Sequence, residues 1–373
     1  MISPLLATII FSVFCTVIAV QLFYYLFYFL RLAFYEPPVK TASQEYPVSV
    51  IICARNEAHN LVDNLPGILF QQYKTTHEVI VVNDNSEDET KYVLEEFKKT
   101  FKDLVIIPLT QEAIMIPGKK FPLSVGIKST RHEVLLLTDA DCVPASEFWM
   151  QKMQEGYSSG IEIVLGYGAY KKKKGLLNKL IRFETFQTAL QYFSFAIAGH
   201  PYMGVGRNLS YKRSLFFDNK GFSSINHIPG GDDDLFINKV ANKHNTAIIL
   251  DKDAHTLSEP KTTWNEWLRQ KSRHYTTAKH YQPKNKFLLA LYALSSFLVY
   301  PVTILSIIFF SWWITLIIFL LRLGLVAFTW HKTMKKMNEE DLFPLFFLFD
   351  MWMFLYYIMF SPALVKRPAK TWK

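Results

Sequence analysis

Residues 48–57 read Val48-Ser-Val-Ile-Ile-Cys-Ala-Arg-Asn-Glu57, an apolar run that ends abruptly in polar side chains. A short apolar run of this kind, rich in β-branched residues, is typical of a strand that is buried on both faces of a sheet. Similar runs follow at 78–83, 104–109, 133–138 and 161–166, and helix-like stretches separate them at 58–71, 88–101, 122–129 and 146–157. This alternation predicts an α/β domain with a mostly parallel sheet and helices on its faces.

Acidic residues follow three of the predicted strands. Glu57 comes after the first strand, Asp84 after the second, and Asp139 and Asp141 after the fourth. Ligands of such sheets bind beyond the carboxyl ends of the strands, so we expect these side chains to share one crevice. Two aspartates separated by one residue can bind a divalent cation, which in turn binds the oxygens of a diphosphate. Asp139 and Asp141 are therefore a candidate metal site.

Two further pairs of aspartates have the same spacing. Asp251 and Asp253 flank Lys252, which would repel a cation, so we interpret this pair as the exposed end of a strand. The run 232–234 consists of three aspartates and precedes a predicted helix at 235–243, where capping explains at least one of them. Three adjacent carboxylates repel each other and raise at least one pKa, which suits a general base.

Composition divides the chain into membrane and soluble parts. Of 373 residues, 50% are hydrophobic and 20% charged, and the apolar excess lies in the windows 3–30, 287–330 and 342–365. Each window approaches or exceeds the length that crosses a bilayer. We predict a transmembrane anchor at 1–34, a soluble domain with interfacial helices at 35–286, two to three C-terminal spans at 287–365, and a basic tail at 366–373.

Basic residues near the spans predict the orientation. Lys and Arg follow the first span and precede the second, so the large domain should face the cytoplasm from the cell membrane. Three later spans would place the tail 366–373 outside, so either the last window does not cross fully or the tail violates the rule. Asp350, within that window, is either a buried link between helices or a site residue, and we favour the link.

Several features exclude other classes of protein. The chain contains no GxGxxG, Walker or GxSxG motif, which argues against dinucleotide oxidoreductases, P-loop proteins and hydrolases. The net charge of +9 owes much to the lysines at 171–174. Because no aromatic residues interleave with them, they indicate anionic lipid headgroups or a solvated cluster rather than nucleic acid. Three cysteines without a CxxC motif suit a reducing compartment.

Three other segments complete the prediction. Residues 176–197 read as an amphipathic helix that lies on the bilayer near a lipid acceptor. The segment 204–208 is rich in glycine and either lines the donor pocket or forms a plain turn. Gln270, Arg273 and His274 fall on one helical face, which indicates an amphipathic helix at the membrane surface or the floor of a pocket.

Five motifs in this order resemble those of the membrane-bound inverting glycosyltransferases of family 2, the superfamily of cellulose and hyaluronan synthases. The motifs are residues 48–57, Val81-Val-Asn-Asp84, Asp139-Ala-Asp141, Gly231-Asp232-Asp233 and Gln270-Lys-Ser-Arg273-His274. The resemblance covers residues 47–284. It implies a GT-A fold, that is, a Rossmann-like nucleotide-diphospho-sugar transferase domain, here with N-terminal and C-terminal transmembrane helices.

The resemblance implies roles for the donor side of the site. Glu57 and Asp84 would contact the nucleoside of the donor, and Lys119 would lie near the nucleotide. Asp141 and Asp139 would hold Mg²⁺ or Mn²⁺ on the diphosphate.

The resemblance also implies roles for residues on the acceptor side of the site. The catalytic base would be Asp232 when the motif is matched on the following Asp-Leu, or Asp233 when it is shifted by one residue. Gln270, Arg273 and His274 correspond to the Gln-x-x-Arg-Trp motif. His274 replaces the tryptophan on which the acceptor stacks in polymerising members.

These observations predict a metal-dependent transferase that moves a sugar from a nucleotide sugar, a UDP-sugar first of all, to a lipid or glycan acceptor at the cytoplasmic face of the membrane. A nucleotidyltransferase with a similar sheet is the first alternative. A nucleotide-sugar-binding membrane protein without catalysis is the second.

Overall fold

The computed structural model describes residues 3–37, 45–110 and 116–360. The basic tail predicted at 366–373 lies outside the described residues. Within them, four helices are long and apolar enough to cross a membrane, namely Pro4–Ala33, Pro283–Phe309, Trp312–Lys336 and Glu340–Phe360. The predicted division into apolar helices and an intervening α/β domain is therefore confirmed for the described part.

Two sheets form the α/β domain. The strands are β1 (Val48–Ala54), β2 (His77–Asp84), β3 (Leu104–Leu109), β4 (Val134–Asp139), β5 (Cys142–Pro144), β6 (Ile163–Leu165), β7 (Gly168–Tyr170), β8 (Leu209–Lys212), β9 (Thr246–Ile248) and β10 (Thr256–Ser258). Among the described residues, the main sheet has the order β3-β2-β1-β4-β8-β6-β9, and β5, β10 and β7 form a second sheet.

The parallel core of the main sheet agrees with the prediction. β1 pairs in parallel with β2 and β4, and β2 pairs in parallel with β3. The fifth predicted strand, β6, is real, but it does not neighbour β4, because β8 lies between them and runs antiparallel to both. β8 has four residues without clear alternation, so only its pairing with distant strands defines it.

The helices follow the predicted stretches closely. They are α1 (Pro4–Phe23), α2 (Ala58–Leu69), α3 (Thr90–Thr100), α4 (Lys120–Lys128), α5 (Trp149–Gln154), α6 (Leu176–Ile197), α7 (Arg213–Asp218), α8 (Asp234–Val240), α9 (Trp264–Tyr275), α10 (Pro283–Phe309), α11 (Trp312–Lys336) and α12 (Phe346–Phe360). α1 continues through the π-helical segment Tyr24–Phe29 to Leu30–Ala33. Short 3₁₀ segments are Ser223–Ile225, Lys252–Ala254, Ala278–His280 and Glu340–Leu345.

α6 has the predicted bounds but not the predicted location. All residues from 180 to 187 are buried, so most of this helix packs inside the protein, and an exposed apolar residue remains only at its start, Leu176. The charged side chain of Arg182 is 2% exposed and donates to Glu339 and to Asp341, whose Oδ2 lies 2.8 Å from Nη1. The prediction of a helix that lies on the membrane is wrong, because α6 packs between the α/β domain and the apolar helices.

The lysine run at 171–174 also has partners within the chain. Lys171 Nζ lies 2.7 Å from Glu259 Oε1, and Lys173 pairs with the same carboxylate. Lys172 Nζ lies 2.9 Å from Asp341 Oδ1. These ion pairs neutralise part of the charge of three of the four lysines, whose side chains remain at the surface, in agreement with the alternative of a solvated cluster.

A polar network joins the apolar helices. Arg322 of α11 forms a buried ion pair with Asp350 of α12 and donates to Gln21 of α1 at 2.9 Å. Tyr300 of α10 donates to Asp350 at 2.6 Å, and Gln21 donates to Ser295 at 2.8 Å. The prediction that Asp350 is a buried link between helices is confirmed.

Two helices outside the apolar bundle contact the ends of α12. α6 contacts the segment before α12, and α9 contacts its last residue. The segment before α12 is held by Arg182 of α6, as described above. At the other end, the ring of Phe360 stacks on Tyr275 of α9 with centroids 5.6 Å apart and meets Trp267 edge-on at 5.6 Å. The side of the helix bundle on which α6 and α9 lie is called the domain side below.

Candidate functional site

The carboxyl ends of β1, β2 and β4 form the predicted crevice. Asp84 is the last residue of β2 and Asp139 the last of β4, where it pairs in register with Cys53 of β1. Glu57 follows β1, and its carboxylate accepts a hydrogen bond from Asn60 at 2.5 Å. The structure therefore places Glu57, Asp84 and Asp139 at the same edge of the sheet.

The loops after β1 and β2 are tied together. Asn56 N–H donates to Ser86 Oγ at 3.0 Å, and Glu87 N–H donates to Asn56 Oδ1 at 2.8 Å. Asn56 and Asn85 both adopt positive φ angles, of 54° and 52°. Left-handed backbone at non-glycine residues is uncommon and often occurs at functional sites. These contacts fix the backbone around the predicted nucleoside-binding residues.

Lys119 joins the two acidic groups of the site. Its Nζ lies 2.5 Å from Asp139 Oδ1 and 3.5 Å from Asp232 Oδ2. Burial alone would lower the pKa of Lys119, but these two carboxylates raise it well above its usual value. Burial likewise opposes ionisation of Asp139, yet Lys119 and then Arg207 hold the pKa of Asp139 below its usual value. Lys119 and Asp139 are therefore a charged pair in the crevice.

The candidate metal site consists of Asp139, Asp141 and Cys142, whose ligand atoms all lie within 4.8 Å of one another. Burial and the charge of Asp139 raise the pKa of Asp141, as expected for two carboxylates that face one position. Burial and Asp141 raise the pKa of the Cys142 thiol well above its usual range. The two carboxylates therefore suit a hard cation such as Mg²⁺ or Mn²⁺, whereas the thiol stays protonated and is a poor ligand for it.

Sequence reasoning missed Tyr170 and Ser258, two residues beside this site. Arg207 stacks on the ring of Tyr170, with its guanidinium 4.4 Å from the ring centroid, and donates to Ser258 Oγ at 3.2 Å. Ser258 Oγ lies 2.9 Å from Cys142 Sγ. Tyr170 and Ser258 belong to the second sheet, and no motif marks either of them. Arg207 lies in the glycine-rich segment for which the sequence left a pocket wall and a plain turn as alternatives, and the charge of Arg207 acts on Asp139 in the crevice.

The glycine-rich segment also contacts the aspartates at the start of α8. Gly206 N–H donates to Asp233 Oδ2 at 2.7 Å. A Cβ at Gly206 would lie 3.2 Å from Asp233 Oδ2 and 3.4 Å from Lys119 Nζ, so a side chain here would crowd both groups. Burial, together with Asp232 and Asp234, raises the pKa of Asp233 to about 7. This is the electrostatic effect expected of three adjacent carboxylates.

The third aspartate has a structural role. Asp234 Oδ2 accepts hydrogen bonds from Thr277 Oγ1 at 2.5 Å and from Tyr281 OH at 2.8 Å. These bonds tie the start of α8 to the segment after α9. Lys120 secures the loop before α8, because its Nζ donates to the carbonyls of Ile228 and Gly230, the latter at 2.6 Å.

α9 carries the last three predicted residues. Gln270 Nε2 lies 3.4 Å from Tyr170 OH, so this side chain reaches the ring on which Arg207 stacks. The charge of Arg273 acts on the carboxylate of Asp139. Arg273 and His274 are exposed. The helical face predicted from their spacing is confirmed.

Two features that the sequence singled out lie outside the crevice. Asp251 and Asp253 are exposed, as predicted, but they lie at the 3₁₀ segment Lys252–Ala254 after β9 rather than at the end of a strand, and Asp251 Oδ1 accepts from Asp253 N–H at 3.0 Å. Asn208 follows Arg207 but is fully buried, where it accepts from Trp149 Nε1 at 3.0 Å.

Comparison with known proteins defines the class to which this fold and site belong. Residues 49–217 match the family model described as glycosyl transferase family 2. These residues are similar to the glycosyltransferase domains of this family, which agrees with the predicted resemblance, and the fold is the predicted GT-A fold.

Individual relatives agree with this assignment. The chain is 29% identical over 120 residues to glycosyltransferase AglE of Haloferax volcanii, which covers 32% of this chain and 38% of that protein. It is 29% identical over 252 residues to the probable glycosyltransferase YdaM of Bacillus subtilis, over 64% of this chain and 56% of that protein. The chain thus spans little more than a third to a half of these relatives.

A solved structure shows the same fold. The mannosyltransferase PcManGT from Pyrobaculum calidifontis, in complex with GDP-Man and Mn²⁺, superposes with a TM-score of 0.59 at 18% sequence identity. The match covers 93% of this chain and 99% of that chain.

Proposed function

We propose that the chain transfers a sugar from a nucleotide sugar to a lipid or glycan acceptor at the membrane, with inversion at the anomeric carbon. The observation that carries the proposal is the meeting of two acidic groups around Lys119, which lies 2.5 Å from Asp139 and 3.5 Å from Asp232. The first acidic group, Asp139 and Asp141 at the end of β4, suits a metal-bound diphosphate. The second, Asp232 and Asp233 at the start of α8, suits a base.

The proposed reaction is a single displacement. A carboxylate of Asp232 or Asp233 accepts the proton of an acceptor hydroxyl while the hydroxyl oxygen attacks the anomeric carbon. The bond to the diphosphate breaks on the opposite face, which inverts the configuration. Lys119 and Arg273 stabilise the negative charge that grows on the departing diphosphate. Asp139 and Asp141 would hold Mg²⁺ or Mn²⁺, which when bound would supply Lewis-acid stabilisation of the same charge.

The donor is a nucleotide sugar. Glu57 and Asp84 lie at the strand ends next to Asp139, which suits contacts to the nucleoside, and Gln270, with His274 on the same helical face, closes the crevice from α9. UDP-sugars are the donors that the family resemblance implies, and the mannosyltransferase of the same fold holds GDP-Man with Mn²⁺. Both kinds of donor therefore belong in the first test.

The location that fits this reaction is the cytoplasmic face of the cell membrane. The anchor ends at Ala33, where its last turn contacts α6, and Gln282, just before α10, forms hydrogen bonds with Asn238 of α8. The basic residues next to these ends support a cytoplasmic domain. An acceptor in the membrane would then reach the crevice from the bilayer surface.

The test is the release of nucleoside diphosphate from purified full-length protein in lipid nanodiscs. A panel of UDP-sugars and GDP-mannose is incubated with Mn²⁺ or Mg²⁺ and a membrane lipid extract as acceptor, and the product is sized. We expect acceptor-dependent release that stops with EDTA. Asp141→Asn should reduce the rate by at least about 100-fold, because a ligand of the ion that stabilises the leaving group is lost.

Asp253→Asn is the matched control, since Asp251 and Asp253 have the same spacing on an exposed turn, and it should keep the wild-type rate. A normal rate in Asp141→Asn contradicts the metal assignment. Release of pyrophosphate from a nucleoside triphosphate would identify the nucleotidyltransferase alternative. Donor binding without acceptor-dependent release would identify the non-catalytic alternative.

A further inference from the structure

A basic pocket lies between the α/β domain and the domain-side ends of two apolar helices. It has a volume of about 400 Å³, and it is lined by Ala33, Phe34, Glu36, Lys252, Lys332, Lys335 and Lys336. The first three residues lie at the end of the N-terminal helix, the last three in the final turns of α11, and Lys252 in the 3₁₀ segment before β10. None of these residues belongs to the crevice described above.

The charge of the pocket is strongly positive. Four lysines face a single glutamate, Glu36. Lys252, Lys332 and Lys335 are exposed, and none of the three forms an ion pair with a carboxylate of the described residues. Lys336 Nζ donates to the carbonyl of Tyr35 at 2.7 Å, which holds the two helix ends together. The lysines at 171–173, by contrast, form ion pairs with Glu259 and Asp341.

The wall below the lysines is apolar. Phe34 is 63% exposed and Phe328 is 44% exposed, and their ring centroids are 5.9 Å apart. Lys332 Nζ lies 6.0 Å from the centroid of the Phe328 ring. The exposed rings of Phe34 and Phe328, with the amino group of Lys332 near the second ring, lie at the ends of membrane-spanning helices and match the depth at which the headgroup of a lipid meets its acyl chains. A site that binds only a soluble anion would not need an apolar wall.

We propose that this pocket binds the phosphate of an anionic phospholipid from the domain-side leaflet. Lys332, Lys335 and Lys252 provide the charge, and the acyl chains lie along Phe34 and Phe328. The proposal does not depend on the proposed glycosyl transfer, because it concerns lipid binding alone.

Binding at this place links the membrane helices to the glycosyltransferase domain. Lys252 opens the 3₁₀ segment that ends at Ala254, whose carbonyl accepts from Asn208 at 2.7 Å. The next strand, β10, pairs with β5, which follows Asp141 directly. A phosphate held by Lys252 and by the lysines of α11 therefore fastens the domain to the bundle close to the strands that support the metal site.

The test measures thermal unfolding of the full-length protein in neutral detergent during titration with dioctanoyl phosphatidylglycerol. We expect the melting temperature to rise with this lipid, because a ligand that binds only the folded state stabilises it. Dioctanoyl phosphatidylcholine and glycerol 3-phosphate at the same concentrations should cause no shift. The double variant Lys332→Gln/Lys335→Gln should bind the anionic lipid about 30-fold more weakly, given the contribution of each lysine near an anionic surface.

The matched control is Lys284→Gln/Lys286→Gln, which removes two exposed lysines at the start of α10 on the same side of the bundle. It should retain wild-type affinity. An equal loss of affinity in the control overturns the proposal, and so does an equal shift with glycerol 3-phosphate, which would identify a soluble phosphate site. If the double variant melts below the wild type without lipid, Lys252→Gln replaces it, with an expected weakening of about 5-fold.

Discussion

Asp233 allows the most direct test of the proposed chemistry. Its pKa of about 7 results from burial and from the two neighbouring aspartates. A general base must be deprotonated to accept a proton, so the rate of transfer should rise with pH through about 7 and level off above it. We expect Asp233→Asn to lose at least about 100-fold in kcat, together with this pH dependence. The measurement is kcat against pH with saturating donor and acceptor.

Asp232 provides the comparison, because its carboxylate lies 3.5 Å from Lys119 and is 7% exposed. If Asp232 is the base, Asp232→Asn abolishes transfer while Asp233→Asn keeps both the rate and the pH profile. That result would identify Asp232 rather than Asp233 as the base. Asp234→Asn is unsuitable as a control, since Asp234 holds Thr277 and Tyr281.

At this scale the sequence predicted residues that lie in motifs and missed residues that act through distant contacts. Asp139, Asp141 and the aspartates before α8 could be predicted, because each follows a recognisable strand or precedes a helix. Tyr170 could not be predicted, because its role depends on Arg207 above its ring and on Gln270 100 residues away. Contacts over such separations leave no periodic signal in one sequence.

Among the elements, α9 depends on a buried ion pair for its position. Lys271 of α9 pairs with Glu184 of α6, and their side chains are 8% and 9% exposed. Tyr356 of α12 donates to the same carboxylate at 3.2 Å. The pair therefore holds together three helices, one of which carries Gln270 and Arg273.

We predict that Lys271→Met destabilises the protein by about 3–5 kcal/mol, because it leaves the Glu184 carboxylate buried without its cation. Thermal unfolding in detergent measures this loss. The double variant Glu184→Gln/Lys271→Met should recover most of the stability, since no unpaired charge remains. Wild-type unfolding of Lys271→Met would show that α9 does not depend on the pair. We also expect a higher KM for the donor in Lys271→Met, because Gln270 moves with the helix.

The bounds of the elements were more predictable than their surroundings. β3 has the predicted limits, and β1 ends where the apolar run 48–54 meets polar residues, because each is a short apolar run between polar residues. α6 likewise has its predicted limits, yet Arg182 and Glu184 are buried rather than solvated. The partners of Arg182 lie 157 and 159 residues further along the chain. Local pattern shows that a side chain is polar, but not whether a distant partner has removed it from water.

For the whole molecule, the contacts of α12 decide how many times the chain crosses the membrane. The helix begins beside Glu339 and Asp341, which Arg182 holds on the domain side, and it ends against Trp267 and Tyr275 of α9 on that same side. It has 15 residues, or roughly 22 Å at the helical rise, which is short for a complete crossing. We therefore expect α12 to enter the bilayer and return, so that the chain crosses three times.

Cysteine labelling tests this topology in sealed vesicles of known orientation. Lys335→Cys, before α12, and Lys366→Cys, in the tail outside the described residues, should both react with a membrane-impermeant maleimide from the domain side. Ser311→Cys, between α10 and α11, should react only from the opposite side. Cys53 and Cys142 are buried and Cys15 lies in α1, so the wild type should give little background. Reaction of Lys366→Cys from the side of Ser311→Cys would mean that α12 crosses completely. Reaction from the domain side agrees with the positively charged tail and with the contacts of Phe360, and the apolar windows then give three spans rather than four.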